Sequence, residues 1–176
     1  DAESIRDTLL CLGGSLDTTP AGAHPFPPEA EWKFTQHNPF RAVYESRRRS
    51  VYLMTQRIQR HPFLATFDGA DPSTSTGARM TSTTPVQALF LLNDPLVHEQ
   101  SSAFAARILR EAADRPARIR LAYALAFARH PDPAEAAEAV RFIERLATDG
   151  SPAGERAAWE AFARALFRLN EFVYLD

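Results

Sequence analysis

Four dipeptides constrain the fold of this chain more than anything else in its sequence: Thr84-Pro85, Asp94-Pro95, Asp132-Pro133 and Ser151-Pro152. Each sets an oxygen-bearing side chain directly before a proline. The oxygen accepts from the free N–H groups of a helix's first turn, and a proline at the first helical position loses nothing by lacking an N–H. Each pair is therefore a helix start, and Asp114-Arg115-Pro116 is a looser version. The spacing predicts helices over about 85–92, 95–112, 116–129, 133–148 and 152–171. Apolar stripes follow the starts, most clearly Ala136/Val140/Ile143/Leu146 and Trp159/Phe162/Leu166/Leu169. Leu121–Ala128 is apolar nearly all round, which predicts a central place. The cap spacing is too irregular for a solenoid repeat.

The first half reads differently. Residues 1–12, DAESIRDTLLCL, carry Ile5, Leu9 and Leu12 on one stripe and acids near the start, which predicts a helix ended by Gly13-Gly14. Residues 13–40 hold Pro20, Pro25, Pro27, Pro28 and Pro39 and predict a long irregular arm, its second half pinned by Trp32, Phe34 and Phe40. In 41–56, RAVYESRRRSVYLMTQ, the β-branched and aromatic pieces Val43-Tyr44 and Val51–Thr55 flank a polar segment, predicting a small β-hairpin packed on helices. Residues 61–83 read as loop. The expected fold is mainly α: a compact bundle of five or six helices with a small β-hairpin and a long proline-rich arm. The chain is expected to be one domain over 1–176, and a fragment of a larger one, since it opens at Asp1 already in a helical pattern.

Composition narrows the function classes. The net charge of −2 and pI near 6.2 supply no basic field for nucleic acid. The basic residues are nearly all arginine; Lys33 is the one lysine. Cys11 is the single cysteine, which excludes a disulfide within the chain, a multi-cysteine metal site and a CxxCH haem attachment. As a lone cysteine on a helix it reads as a small core residue. No apolar run approaches the roughly 20 residues of a membrane span.

No catalytic signature is present. Between 41 and 60 lie Arg41, Arg47, Arg48, Arg49, Arg57 and Arg60 against Glu45 alone, with Tyr44 and Tyr52 interleaved. Guanidinium forks bind carboxylate, phosphate or sulfate, so this is a candidate anion- or polymer-binding face; equally, the arginines pair with Asp68, Asp71 and helix C-termini. Asp68 and Asp71 stand three apart in the hydroxyl-rich FDGADPSTSTGAR, half of a calcium or magnesium site or simply a turn. His24, His37, His61, His98 and His130 show no paired-ligand spacing, Gly13-Gly14-Ser15 is no GxSxG elbow, and no phosphate or dinucleotide loop occurs. In TSTTPVQALFLLNDP, Thr84-Pro85 starts one short helix, Asn93 makes a tight corner and Asp94-Pro95 starts the next. Gln87 is expected to satisfy backbone groups freed at those corners, such as the loop carrying Arg79.

Arg48, Arg49, Ser50 and Tyr52, then Phe67, Asp68, Asp71 and Arg79, then Thr84, Pro85, Gln87, Ala88, Leu89, Leu92, Asn93 and Asp94 form a specific string. With AESIRD, GGSLD and the tail LNEFVYLD, it resembles the C-terminal part of a planctomycete-type domain of unknown function, number fifteen fifty-three. The resemblance spans nearly the whole chain. It implies a large exported, cell-envelope protein that often carries a cytochrome c-like domain, and in some cases carbohydrate-binding modules. Any haem would lie in another domain, so no cofactor is expected here. No established activity comes with the resemblance. The expected function is a non-catalytic structural or interaction module whose partners are the parent's other domains. The alternative is part of an extracellular enzyme or binding module that takes polysaccharide or an anionic ligand through the Arg48/Arg49/Tyr52 and Asp68/Asp71 region.

Overall fold

A computed structural model describes residues 1–20, 22, 28–31, 33, 35, 37–38, 46–57, 60–148, 150–174. Eight α-helices occur among them: α1 Ala2–Leu12, α2 Pro62–Thr66, α3 Pro85–Asn93, α4 Pro95–Glu111, α5 Arg115–Phe127, α6 Pro133–Leu146, α7 Pro152–Leu166 and α8 Asn170–Val173. Short 3-10 turns cover Glu29–Glu31 and Ser50–Tyr52. The chain divides into two compact units, one of Asp1–Asp7 and Leu16–Gln87, the other of Thr8–Ser15 and Ala88–Asp176.

The second unit is a helical bundle in which α4 packs on α7, α6 on α7, and α5 on α4, α6 and α8. The oxygen-proline signals act as the sequence predicts. Asp94 Oδ1 accepts from Leu96 N at 2.9 Å, Asp114 from Ala117 N at 2.8 Å, and Ser151 Oγ from Gly154 N at 2.9 Å. Asp132 and Glu135 close a reciprocal capping box at the start of α6. The interior holds Val97, Phe104, Ile108, Ile143, Trp159, Phe162, Leu166 and Phe167. Phe104 stacks on Phe167 at 5.6 Å, and Trp159 meets Phe162 edge-on at 5.7 Å. Removing any one of these large side chains would lose both transfer energy and packing contacts, about 3–5 kcal/mol for an aromatic. The stripe on α6 centres on Ala139 and Ile143, with Leu146 exposed; Leu169 is also exposed, because α7 ends at Leu166. On α5 only Ile119, Ala122 and Tyr123 are buried, so Leu121–Ala128 is half-covered rather than central. Cys11 is exposed, contrary to the core place expected of it.

A polar junction joins the end of α5 to the start of α6 and to α8. Arg129 donates from Nη1 and Nη2 to Glu135 at 2.7 Å each, and from Nε and Nη2 to Glu171 at 2.6 Å each. Its guanidinium also lies over the rings of Tyr123 and Phe127. Hydrogen bonds from Arg129 hold Glu171 below the ordinary carboxyl range and Glu135 down at about 2. A depressed carboxyl pKa means stability that is complete above the unfolded value of 4.5 and is lost as the pH falls towards 2. Thermal melts over that window are expected to show a steeper fall in Tm for the wild type than for Arg129→Met; parallel curves would show that the junction does not contribute.

The first unit has a small, polar-rich interior: Ala2, Phe63, Leu64 and Phe67, together with buried Arg6, Ser50 and Gln87. Phe63 and Phe67 stack at 4.7 Å. Here the expected β-hairpin is overturned. No strand occurs among the described residues; the extended pairing consists of isolated bridges at Asp17–Arg48 and Thr35–Asn38. Val43-Tyr44, with Trp32, Phe34 and Phe40 of the arm, lies outside the described residues. The physical reason is competition for backbone groups. The polar segment expected to turn the hairpin is instead tied elsewhere in the unit: Ser46 O and Arg48 O both accept from the Arg6 guanidinium. Arg47 O and Arg49 N are bonded to the backbone of Asp17. Asp7 Oδ1 takes both Ser50 N, at 2.8 Å, and Ser50 Oγ, at 2.6 Å, which starts a 3-10 turn where the second strand was expected. The sequence reading also missed α2 inside a supposed loop, and it ran α7 through the break before α8.

Candidate functional site

Two polar assemblies in the first unit contain most of the candidate residues. The first is built around Arg6, a residue that sequence reasoning did not single out although it interrupts the apolar stripe of α1. It is 3% exposed and donates to Ser46 O, Arg48 O and Ser50 Oγ. Burial lowers its pKa and Asp7 opposes that shift. Arg48 sends its side chain outward, with Nε 3.6 Å from Asp17 Oδ2. Asp17 is held below its ordinary range chiefly by hydrogen bonds from Thr19, with Arg48 adding to them. Arg49 and Arg57 are exposed, and no ion pair among the described residues reaches either guanidinium. Tyr52 is half-buried at the end of the 3-10 turn.

His61, at the head of α2, is pushed down to about 4 by burial, with the Arg6 charge acting in the same direction. Neutral His61 therefore favours folding fully above its unfolded value of 6.5, and that contribution is lost as pH falls towards 4. With solvent screening the effect is on the order of 1–2 kcal/mol. His61→Phe should flatten the stability profile across this interval in a urea titration series, and an unchanged slope would remove His61 as its source.

The second assembly is the corner between α2 and α3. Asp68 follows α2 with φ of 59°, a left-handed conformation that few residues other than glycine and asparagine or aspartate accept. Its carboxylate accepts from Ser82 N at 2.7 Å and from Ser82 Oγ. Gln87 N bonds Thr84 Oγ1 at 3.3 Å while Gln87 Oε1 accepts from Thr84 N at 3.0 Å, so Thr84-Pro85-Val86-Gln87 is a capping box. The T-x-x-Q spacing could have revealed it from sequence. Gln87 Nε2 then reaches Thr66 O at 3.0 Å and Ser82 Oγ at 3.3 Å, tying the start of α3 to the end of α2. Gln87→Leu would strand Thr66 O and Thr84 N inside the fold. It is expected to lower stability by about 2–3 kcal/mol in denaturant unfolding; a midpoint matching the wild type would show that those groups find other partners. At the far end of α3, Asn93 Nδ2 bonds Leu89 O at 3.1 Å before Asp94 caps α4.

Between these anchors the loop from Asp68 to Met80 encloses a shallow cavity of about 430 Å³, lined in part by Arg60, Asp68, Asp71, Thr74, Thr76 and Arg79. Its charged groups are tied to the fold. Arg60 Nη2 donates to Gly69 O at 2.8 Å, Asp71 Oδ1 accepts from Ser73 N at 2.8 Å, and Arg79 donates through both terminal nitrogens to Glu3, at 3.0 and 3.3 Å. Asp68, Asp71 and Arg79 thus share one cavity. No hydrogen bond or ion pair among the described residues joins Arg48 or Arg49 to it. No group of three or more His, Cys, Asp or Glu side chains able to hold a metal ion occurs among the described residues. What the cavity offers chemically is hydrogen bonding from guanidinium and hydroxyl groups.

Among the described residues the fold is helical, and these assemblies in its first unit are organised by arginine and amide side chains bound to backbone carbonyls. The family model of PSD1, protein of unknown function (DUF1553), matches residues 1–143, and the chain belongs to that family. No curated protein and no solved structure matches the chain. Among the described residues no helix is long and apolar enough to cross a membrane.

Proposed function

We propose that this chain is a non-catalytic interaction module of a larger exported bacterial protein, where it holds other domains, a cytochrome c-like one among them, in a working arrangement. The observation that supports this reading most is the use made of its polar groups. Arg6, Arg79, Asp68 and Gln87, the residues best placed to build a reaction site, are each bound to backbone or to a neighbouring side chain of the same unit. A group fixed in this way positions chain segments and has little freedom to exchange partners with a substrate. The resemblance to multidomain exported proteins supplies the setting, and the haem of any redox function belongs to another domain.

The test is association in trans. This chain, mixed with the remaining domains of its parent, is expected to sediment with them as a complex. An absence of association up to high micromolar concentration would reject the module reading. The exposed guanidinium groups of Arg49 and Arg57 favour a second reading, binding of an anionic polysaccharide. Affinity electrophoresis in gels cast with sulfated or uronate polymers separates the two. Retardation that disappears in the Arg48→Ala/Arg49→Ala/Arg57→Ala variant would favour the polysaccharide reading.

A further inference from the structure

The helix α3, PVQALFLLN, is apolar apart from Gln87 and Asn93. A helix that is apolar around its circumference is normally covered on every side. This one is not. In the second unit Leu91 is buried, but Leu89 is 55% exposed and Leu92 42%, with Ala88 exposed beside them. Leu169, just beyond α7, is 42% exposed. Ala88, Leu89, Leu91, Leu92 and Arg168 line a concavity of about 280 Å³ with almost entirely apolar walls, roomy enough for one or two large side chains.

Among the described residues, the one charged residue in its lining is Arg168. Arg168 is exposed and is held in place by donating from Nε to Leu91 O at 3.4 Å and from Nη2 to Leu92 O at 3.1 Å. Arg164 stands one turn earlier on α7, and no ion pair among the described residues reaches either guanidinium. The contrast on the same helix is Arg156, which pairs with Glu160 at 3.1 Å. The like charges of Arg164 and Arg168 repel, and a carboxylate that met them would relieve the repulsion; burial, with the Arg164 charge adding to it, lowers the Arg168 pKa.

We infer that the C-terminal half of α3, with Leu169 and the Arg164–Arg168 pair, is a docking surface for an acidic amphipathic helix of a partner polypeptide. Its apolar side chains, three or four residues apart, would fill the concavity, and its carboxylates would meet the arginines. A second copy of this chain fits less well, because a two-fold contact would set two arginine pairs against each other. A flat anionic bilayer leaves the concavity unfilled. The inference rests on the interaction-module reading and specifies its partner's chemistry.

Selection of a displayed random 16-residue peptide library on this chain tests it. Enriched peptides are expected to pair Leu, Phe or Met at three- and four-residue spacing with Asp or Glu. By fluorescence anisotropy, the tightest peptide should lose at least tenfold in affinity against Leu89→Asp and Leu92→Asp. Both positions are exposed, so melting curves should confirm that these variants fold. Arg164→Glu should weaken acidic peptides and admit lysine-bearing ones. The proposal is overturned by failure to enrich any sequence, by enrichment without acidic residues, or by affinity that Leu89→Asp leaves intact. It is equally overturned if Leu89→Asp abolishes only self-association or only binding to anionic vesicles. Association in trans with the parent's domains that survives Leu89→Asp would remove this surface while leaving the module reading in place.

Discussion

Arg6→Met is expected to unfold the first unit or to lower its stability by about 3–5 kcal/mol, the range for breaking a buried charged network by removing one partner. Arg6 is 3% exposed and supplies donors to two backbone carbonyls and one hydroxyl. Methionine fills much of the volume but offers no donor, so Ser46 O and Arg48 O, both partly buried, and the buried Ser50 hydroxyl would lose their partner. Arg6→Lys keeps the charge but replaces a planar fork by a single ammonium, and should recover only part of the loss. Hydrogen exchange resolved by residue is the decisive measurement. Protection should fall first at Asp17 and Arg49, whose N–H groups bond across the same segment. Protection equal to the wild type in Arg6→Met would mean that the segment is held by other contacts.

Gly69→Ala is expected to be nearly as damaging, for a steric reason. A Cβ at Gly69 would lie 2.6 Å from Leu64 O and 2.8 Å from Leu64 Cβ. The first of these is a backbone atom of α2 and already accepts from Gly69 N at 2.6 Å. Nothing there can swing aside, so the turn after α2 must open. The cost is about 3 kcal/mol, at the upper end of what overpacking a buried site typically brings. Because Gly69 O accepts from Arg60 and the adjacent Asp68 holds Ser82, the Asp68–Met80 cavity should loosen with it. Limited proteolysis between residues 70 and 80 gives the readout. Gly77→Ala, where an added Cβ meets nothing within 4 Å, is the control expected to behave as the wild type.

These residues also mark where sequence reading succeeds and where it stops. Asp94, Asp132 and Ser151 act on N–H groups two or three residues away, so their meaning lies wholly within a short window. Gln87 was legible as a satisfying amide, and the T-x-x-Q spacing contained half of its role. Its bond to Thr66 O, 21 residues back, was beyond any local pattern. The basic segment was misread for the same reason. Val51–Thr55 has strand-like side chains, but the segment before it, expected to turn a hairpin, is held by a guanidinium 40 and 42 residues earlier in the chain. Arg6 interrupts the apolar stripe of α1, but no spacing in the sequence names the acceptors that surround it.

Local hydrogen-bond chemistry therefore determined, from sequence alone, that residues 84–166 are helices broken at capped prolines, because each cap and its N–H partners are close neighbours along the chain. Tertiary structure alone decided that Arg6 is buried, that Ser50–Tyr52 turns instead of extending, and that the apolar α3 lies partly uncovered. Each of those outcomes depends on which distant group reaches a backbone carbonyl or a side chain first, and sequence spacing carries no record of that competition.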